Sequence, residues 1–94
     1  MKPSLNRTVY CIYEDSILTE EVYALGADSF IVASFGSMTN SDSWEYFFEE
    51  YNETWFTSLA RAKKKLKAKY HREHGKSCTF VEIESGYYEA IPEK

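Results

Sequence analysis

Unambiguous helical periodicity is confined to one segment of the chain, and that fixes the class of fold open to it. Leu59, Ala62, Leu66 and Tyr70 fall within about 80° of one another at about 100° per residue, so they form one apolar stripe. Thr57 or Ser58 precedes the stripe as a cap, because a hydroxyl there accepts a free backbone N–H of the first turn. Gly75 follows it, placed to end the helix in a left-handed conformation. The spacing predicts a helix over about 58–74. Elsewhere the pattern is β-branched and aromatic residues in short alternating runs, which predicts strands at about 7–15, 17–25, 29–35, 44–50, 78–84 and 87–91. The run 44–51 also admits helical spacing through Trp44, Phe47, Phe48 and Tyr51. Its aromatic enrichment and the turn signal Tyr51-Asn52-Glu53-Thr54 favour a strand.

At 94 residues there is room for one domain, 1–94. The expected fold is α+β: a small antiparallel sheet or partly open β-barrel of five to six strands, packed with one long amphipathic helix. The first strand places Val9, Cys11 and Tyr13 on one face and Tyr10 and Ile12 on the other, which predicts a central position. The first three strands form an antiparallel meander, with Gly26-Ala27-Asp28 as a turn. Residues 36–43, small and polar, are the expected mobile loop.

Charge is distributed unevenly along the chain. The net charge is −4, but residues 8–60 hold ten acids and no Lys or Arg, while residues 61–76 hold eight bases and one acid. Two surfaces of opposite sign are therefore available, either to neutralise each other or to meet partners. The acidic set is Glu14, Asp15, Glu20, Glu21, Asp42, Glu45, Glu49, Glu50 and Glu53. Carboxylates interspersed with Tyr can occupy an Arg/Lys-lined groove that normally takes a nucleic-acid backbone; equally, they can serve solubility. The alternative surface is the helix, where Arg61, Lys64, Lys65 and Arg72 lie on the arc away from the apolar stripe and suit phosphate contacts. The negative charge on the rest of the chain opposes autonomous nucleic-acid binding.

Catalytic and metal chemistry find little footing. His71, His74, Cys78 and Cys11 have the count of a Cys2His2 zinc site, but the spacing matches no common finger, so no metal or cofactor is expected. Ser37 lacks the flanking glycines of a nucleophile elbow, and Glu49-Glu50 and Glu20-Glu21 are strand neighbours that point to opposite faces. The four glycines never cluster into a phosphate loop. Enzymatic activity is not expected. Cys11 and Cys78 read as two buried thiols. No apolar run approaches bilayer length and no signal-peptide block follows Met1–Arg7, so the expected location is cytoplasmic, with no membrane partner.

The succession Val9-Tyr-Cys-Ile-Tyr-Glu-Asp, then Glu21-Val-Tyr-Ala-Leu-Gly, then Phe47-Phe-Glu-Glu-Tyr-Asn-Glu-Thr-Trp-Phe-Thr-Ser-Leu-Ala-Arg-Ala-Lys resembles small accessory proteins carried by phages and mobile elements of Gram-positive bacteria. The likeness covers about 9–66, with Asn52 where many such sequences have Gly. It assigns no activity and no site residues. It implies a setting, accessory genes among which anti-CRISPR and anti-restriction inhibitors occur. Combined with the acidic set, it leads to the expectation of a non-enzymatic inhibitor that binds a nucleic-acid-binding host defence protein, plausibly a CRISPR effector. The alternative is a small nucleic-acid-binding or regulatory module that uses the basic helix. Either a monomer or a homodimer is compatible with the sequence.

Overall fold

The computed structural model describes residues 2–34 and 43–93, and among these there are seven strands and one α-helix. The strands are β1 (Thr8–Tyr13), β2 (Ser16–Leu25), β3 (Ser29–Ser34), β4 (Ser43–Phe47), β5 (Trp55–Phe56), β6 (Cys78–Glu84) and β7 (Tyr87–Pro92); the helix, α1, is Leu59–His74. The fold is α+β, as expected. Five strands run antiparallel in the order β4-β3-β2-β1-β5 and curl into a half-barrel. β6 and β7 form a hairpin attached through β7 to the start of β2.

β2 is the common member. On one edge it pairs with β1 from Ser16 to Glu21. On the other edge its first residues, Ser16 to Leu18, take β7, and its later ones, Glu20 to Leu25, take β3. A bulge between Val22 and Ala24 leaves Tyr23 out of the ladder, and such an extra residue raises the local twist that curls a sheet. The β1–β2 turn is tight, with Glu14 at φ 53, a conformation uncommon outside glycine. Lys69 on α1 stabilises this turn by donating to the Glu14 carbonyl at 3.1 Å.

The two faces of the sheet carry two cores. Inside the curl, Val9, Cys11, Val22, Phe30, Val32 and Trp55 are buried, with Tyr46, Phe48 and Tyr51 packed against them. The Phe30 and Trp55 rings meet edge-on at 4.7 Å, a favourable quadrupole geometry. On the convex face, Ile17, Phe56, Cys78 and Ala90 receive the helix stripe Ala62, Leu66 and Tyr70. The two-sided β1 expected from its alternation is what the structure shows, since it feeds both cores; its position is not central but one strand in from the end, between β2 and the two-residue β5.

Between β4 and β5 the half-barrel is closed by side chains, not by a backbone ladder. The Trp55 Nε1–H donates to the Phe47 carbonyl at 2.9 Å, and Tyr13 on β1 reaches Trp44 on β4 with ring centroids 5.7 Å apart.

Several expectations are refined. The strand favoured over 44–50 ends at Phe47, and Phe48–Glu50 form a 3-10 turn. That turn is held because the Glu50 carboxylate accepts the Phe47 N–H at 2.7 Å. The pair Trp55–Phe56 forms an additional short strand, a seventh where five to six were expected. The loop expected over 36–43 lies outside the described residues except for Ser43, which opens β4. The helix starts as expected, with the Ser58 hydroxyl accepting the Arg61 N–H at 3.4 Å. It ends at Gly75 with φ 71, and Asn52 also takes the left-handed conformation at φ 66. No helix among the described residues is long and apolar enough to cross a membrane.

Candidate functional site

The alternation of β2 decides the fate of its two acids. Glu20 is paired with Val9 on the concave side and is 1% exposed, so it belongs to the interior and not to the expected acidic surface. Glu21, one residue on, faces the convex side and is half-buried. Inside, the Glu20 carboxyl stands close to Cys11 and Tyr46, which are within hydrogen-bond reach of each other. Burial pushes the Cys11 thiol well above its ordinary range, and the charge of Glu20 adds to the shift. Burial likewise raises the Tyr46 hydroxyl, with Cys11 and Glu20 adding to it. A thiol held neutral in this way is a packing group rather than a nucleophile.

The remaining acids divide into two groups. Glu14 and Asp15 sit on the β1–β2 turn under the end of α1, where Asp15 meets Lys69 at 3.9 Å and His74 at 3.2 Å. Glu53 meets Lys65 at 3.0 Å. These three lie along one flank of α1, and the helix bases neutralise Asp15 and Glu53 directly. The second group, Glu45, Glu49 and Glu50, gathers at the β3–β4 end of the sheet beside Asp28. Ser29 donates to Glu45 at 2.6 Å, and the Phe48 N–H donates to the Asp28 carbonyl at 2.9 Å. A cleft of about 350 Å³ here is lined by Asp28, Phe47, Phe48 and Glu49. Asp42 lies outside the described residues.

This second group borders a sheet face that no described element covers. Register places Ser29, Ile31 and Ala33 of β3, together with Glu45 and Phe47 of β4, on the convex side, the side that carries α1 further along the sheet. α1 covers β1, β5 and the β6–β7 half and stops short of β3 and β4. Left open are Phe47 at 47% exposure, Ile31 at 38% and the bulged Tyr23 at 64%. Around them stand Glu21, Asp28, Glu45 and Glu49. Sequence reading did not single out Tyr23, Asp28, Ile31 or Phe47 for this surface. Alternation on β3 is visible in the sequence, but which half of the sheet the helix leaves bare is not.

The cations of α1 are also sorted by position. Lys65 and Lys69 are engaged by Glu53, Asp15 and Glu73 on one flank, and Lys63 lies 5.1 Å from the centre of the Tyr88 ring on the other. Arg61, Lys64 and Arg72 point away from the buried stripe, and among the described residues they make no ion pair. The expected nucleic-acid set therefore loses Lys65 to an ion pair and keeps the other three.

The zinc constellation does not assemble. Cys11 is in the concave core and Cys78 in the convex one, and burial raises the Cys78 thiol as well. Asp15, Glu73 and His74 do bring ligand atoms within 4.8 Å of one another. The Lys69 ammonium already lies among them, 3.3 Å from Glu73 and 3.9 Å from Asp15, and supplies the positive charge there. Comparison with protein-family models, with curated proteins and with solved structures finds no match to this chain.

Proposed function

We propose that the protein works without catalysis, as a binding protein that docks the convex face of β2–β4 onto a basic protein surface. The observation that carries this is the exposure on that face: Tyr23, Ile31 and Phe47 at its centre, with Glu21, Asp28, Glu45 and Glu49 around them and no other described element covering them. Exposed aromatic and aliphatic anchors inside a charged rim are the arrangement in which a few residues carry most of an interface's energy. The rim sets the sign of the partner, since like charges across an interface cost several kcal/mol and opposite ones speed encounter,. In the setting implied by the resemblance to phage and mobile-element accessory proteins, the partner is a nucleic-acid-binding host defence protein, inhibited in the manner of an anti-CRISPR. The acidic contact set contracts to the rim. Glu20 is interior, Glu50 holds its own turn, and Asp15 and Glu53 are matched by helix bases.

A pull-down from nuclease-treated bacterial lysate tests the reading. Wild type should retain a protein partner that is released at about 0.5 M salt, where the Debye length is only a few ångströms. Glu45→Lys with Glu49→Lys, and separately Phe47→Ala, should abolish retention while leaving the circular dichroism spectrum unchanged. Retention that survives both variants sinks the proposal.

Arg61, Lys64 and Arg72, which make no ion pair among the described residues, favour one second reading, a nucleic-acid contact along the outer arc of α1. Under it, Lys64→Glu with Arg72→Glu removes a mobility shift of DNA or RNA that the rim variants leave intact.

A further inference from the structure

The end of the sheet opposite the proposed docking face carries a strand edge that no other described strand pairs, and the backbone there can be assigned residue by residue. The Glu93 N–H donates to the Ser77 carbonyl at 3.0 Å, so the pair 77/93 is hydrogen-bonded. Register then makes Thr79/Ile91 and Val81/Glu89 hydrogen-bonded pairs as well. Ala90 confirms the phase: its N–H points the other way, to the Asp15 carbonyl at 2.8 Å. Cys78, Phe80 and Glu82 of β6 therefore direct their N–H and C=O groups outward, and no backbone bond from any described residue outside the hairpin meets them.

Edges of this kind are usually blunted by lysine, by proline or by a covering element. Along 78–83 there is no Lys and no Pro. The one charged residue, Glu82, folds its carboxylate back to accept the Gly86 N–H at 3.2 Å. On the convex side Cys78 and Phe80 are covered by α1, while on the other side Val81 and Ile83 are exposed, with Ile91 beside them.

Charge selects what can pair here. Lys76 lies just before β6, and at its start Cys78 feels Lys67 and, opposing it, Asp15 and Glu93; Glu82 and Glu84 lie at its end. A strand of this polarity is complementary to its own reversal. The geometry points to a two-fold symmetric homodimer formed by antiparallel pairing of β6 with β6 of a second copy, centred on Phe80. In that register Phe80 exchanges both backbone bonds with Phe80 of the second copy, and Cys78 pairs with Glu82 of the second copy. Lys76 and Lys67 of each copy come to the Glu82–Glu84 end of the other. Parallel pairing would set acid against acid. The contact consumes both free β6 edges, so the assembly closes at two copies and is not a fibre. Pairing along one short strand is a small contact by the standard of stable interfaces, which makes the association weak and concentration-dependent.

The test is sedimentation velocity on the full chain from about 10 μM to about 1 mM, the range in which contacts of this size form. Wild type should shift from monomer to dimer. Lys76→Glu alone and Glu84→Lys alone, both at exposed positions, should each raise the dissociation constant about tenfold, since every substitution acts at both ends of the two-fold interface. The double exchange Lys76→Glu/Glu84→Lys should restore it. Register is read separately. Across this interface Thr79 faces Val81 of the second copy in a non-hydrogen-bonded pair, with Cα atoms about 4.5 Å apart, close enough for a disulfide. A mixture of Thr79→Cys and Val81→Cys chains should therefore crosslink faster than either variant alone. A monomer at every concentration, species larger than two, failure of the exchange to restore association, or equal crosslinking of each variant with itself would overturn the assignment.

Discussion

Replacing Trp55 with Phe removes a donor that ties β5 to β4 while keeping an aromatic ring in the concave core. Two losses can be worked out. The indole N–H to Phe47 carbonyl bond, 2.9 Å long and part-buried, is worth about 1 kcal/mol net. The smaller ring leaves on the order of 40 Å³ unfilled at a site with no solvent exposure, which costs about 1 kcal/mol at roughly 24 cal/mol per Å³ of cavity. Together they predict a destabilisation of about 2 kcal/mol in urea unfolding. In a domain this small that lowers Tm by about 8–16 °C. The loss should also be local. Native-state hydrogen exchange should show the β3–β4 ladder opening more readily, while β6–β7 and the buried side of α1 keep their protection down to global unfolding. A loss under about 0.5 kcal/mol, or an equal fall in protection in both halves, would refute the claim that this side chain closes the half-barrel.

Other outcomes are equally checkable. Gly86 has φ +83, and a Cβ there would lie 3.0 Å from the Thr19 Cβ, so Gly86→Ala should cost more than the roughly 1 kcal/mol of backbone strain alone. Thermal melts of Gly86→Ala and of Ser85→Ala, which alters the same turn without strain, separate that effect from general loss of the hairpin. Cys11 and Tyr46 both have raised native values against unfolded ones of 9.0 and 10.0. The unfolded chain therefore releases these protons first, and the stability they contribute is complete below about pH 9 and declines as pH rises further. Urea midpoints at pH 7, 9 and 10.5 measure it; a midpoint that is constant or rises across that range contradicts the assignment. In the native protein at pH 7.5 neither Cys11 nor Cys78 should react with a thiol reagent on the timescale of minutes, and both should react in urea.

Much of the architecture can be read from local pattern because local physics determines it. The stripe from Leu59 to Tyr70, the Ser58 cap and the Gly75 terminator are all short-range features, and the helix runs where they put it. The two-sided apolar pattern of β1 places it between two cores, which is where it lies, although it is β2 and not β1 that occupies the middle of the sheet. The rest depends on pairing between distant segments. β5 is two residues long and exists only because β1 is beside it. The bulge at Tyr23 breaks an alternation that looks continuous in the sequence, turning Val22 inward and Ala24 outward. The acidic run likewise looks like one surface in sequence, yet the fold buries Glu20, matches Asp15 and Glu53 with helix bases, and leaves Glu45 and Glu49 at the far end.

Because β2 holds β7 and β3 on successive stretches of the same edge, it joins the two halves of the sheet, and with β1 it forms the wall that the two cores share. The β3–β4 half can loosen, lengthen or be reshaped around a partner while β1 and β7 continue to hold the first residues of β2. A substitution that bends β2 itself has no such shelter and is felt on both sides. Sequence change should therefore be tolerated most readily at the proposed docking end and least along this one strand, a gradient that saturation mutagenesis scored by folded yield would display directly.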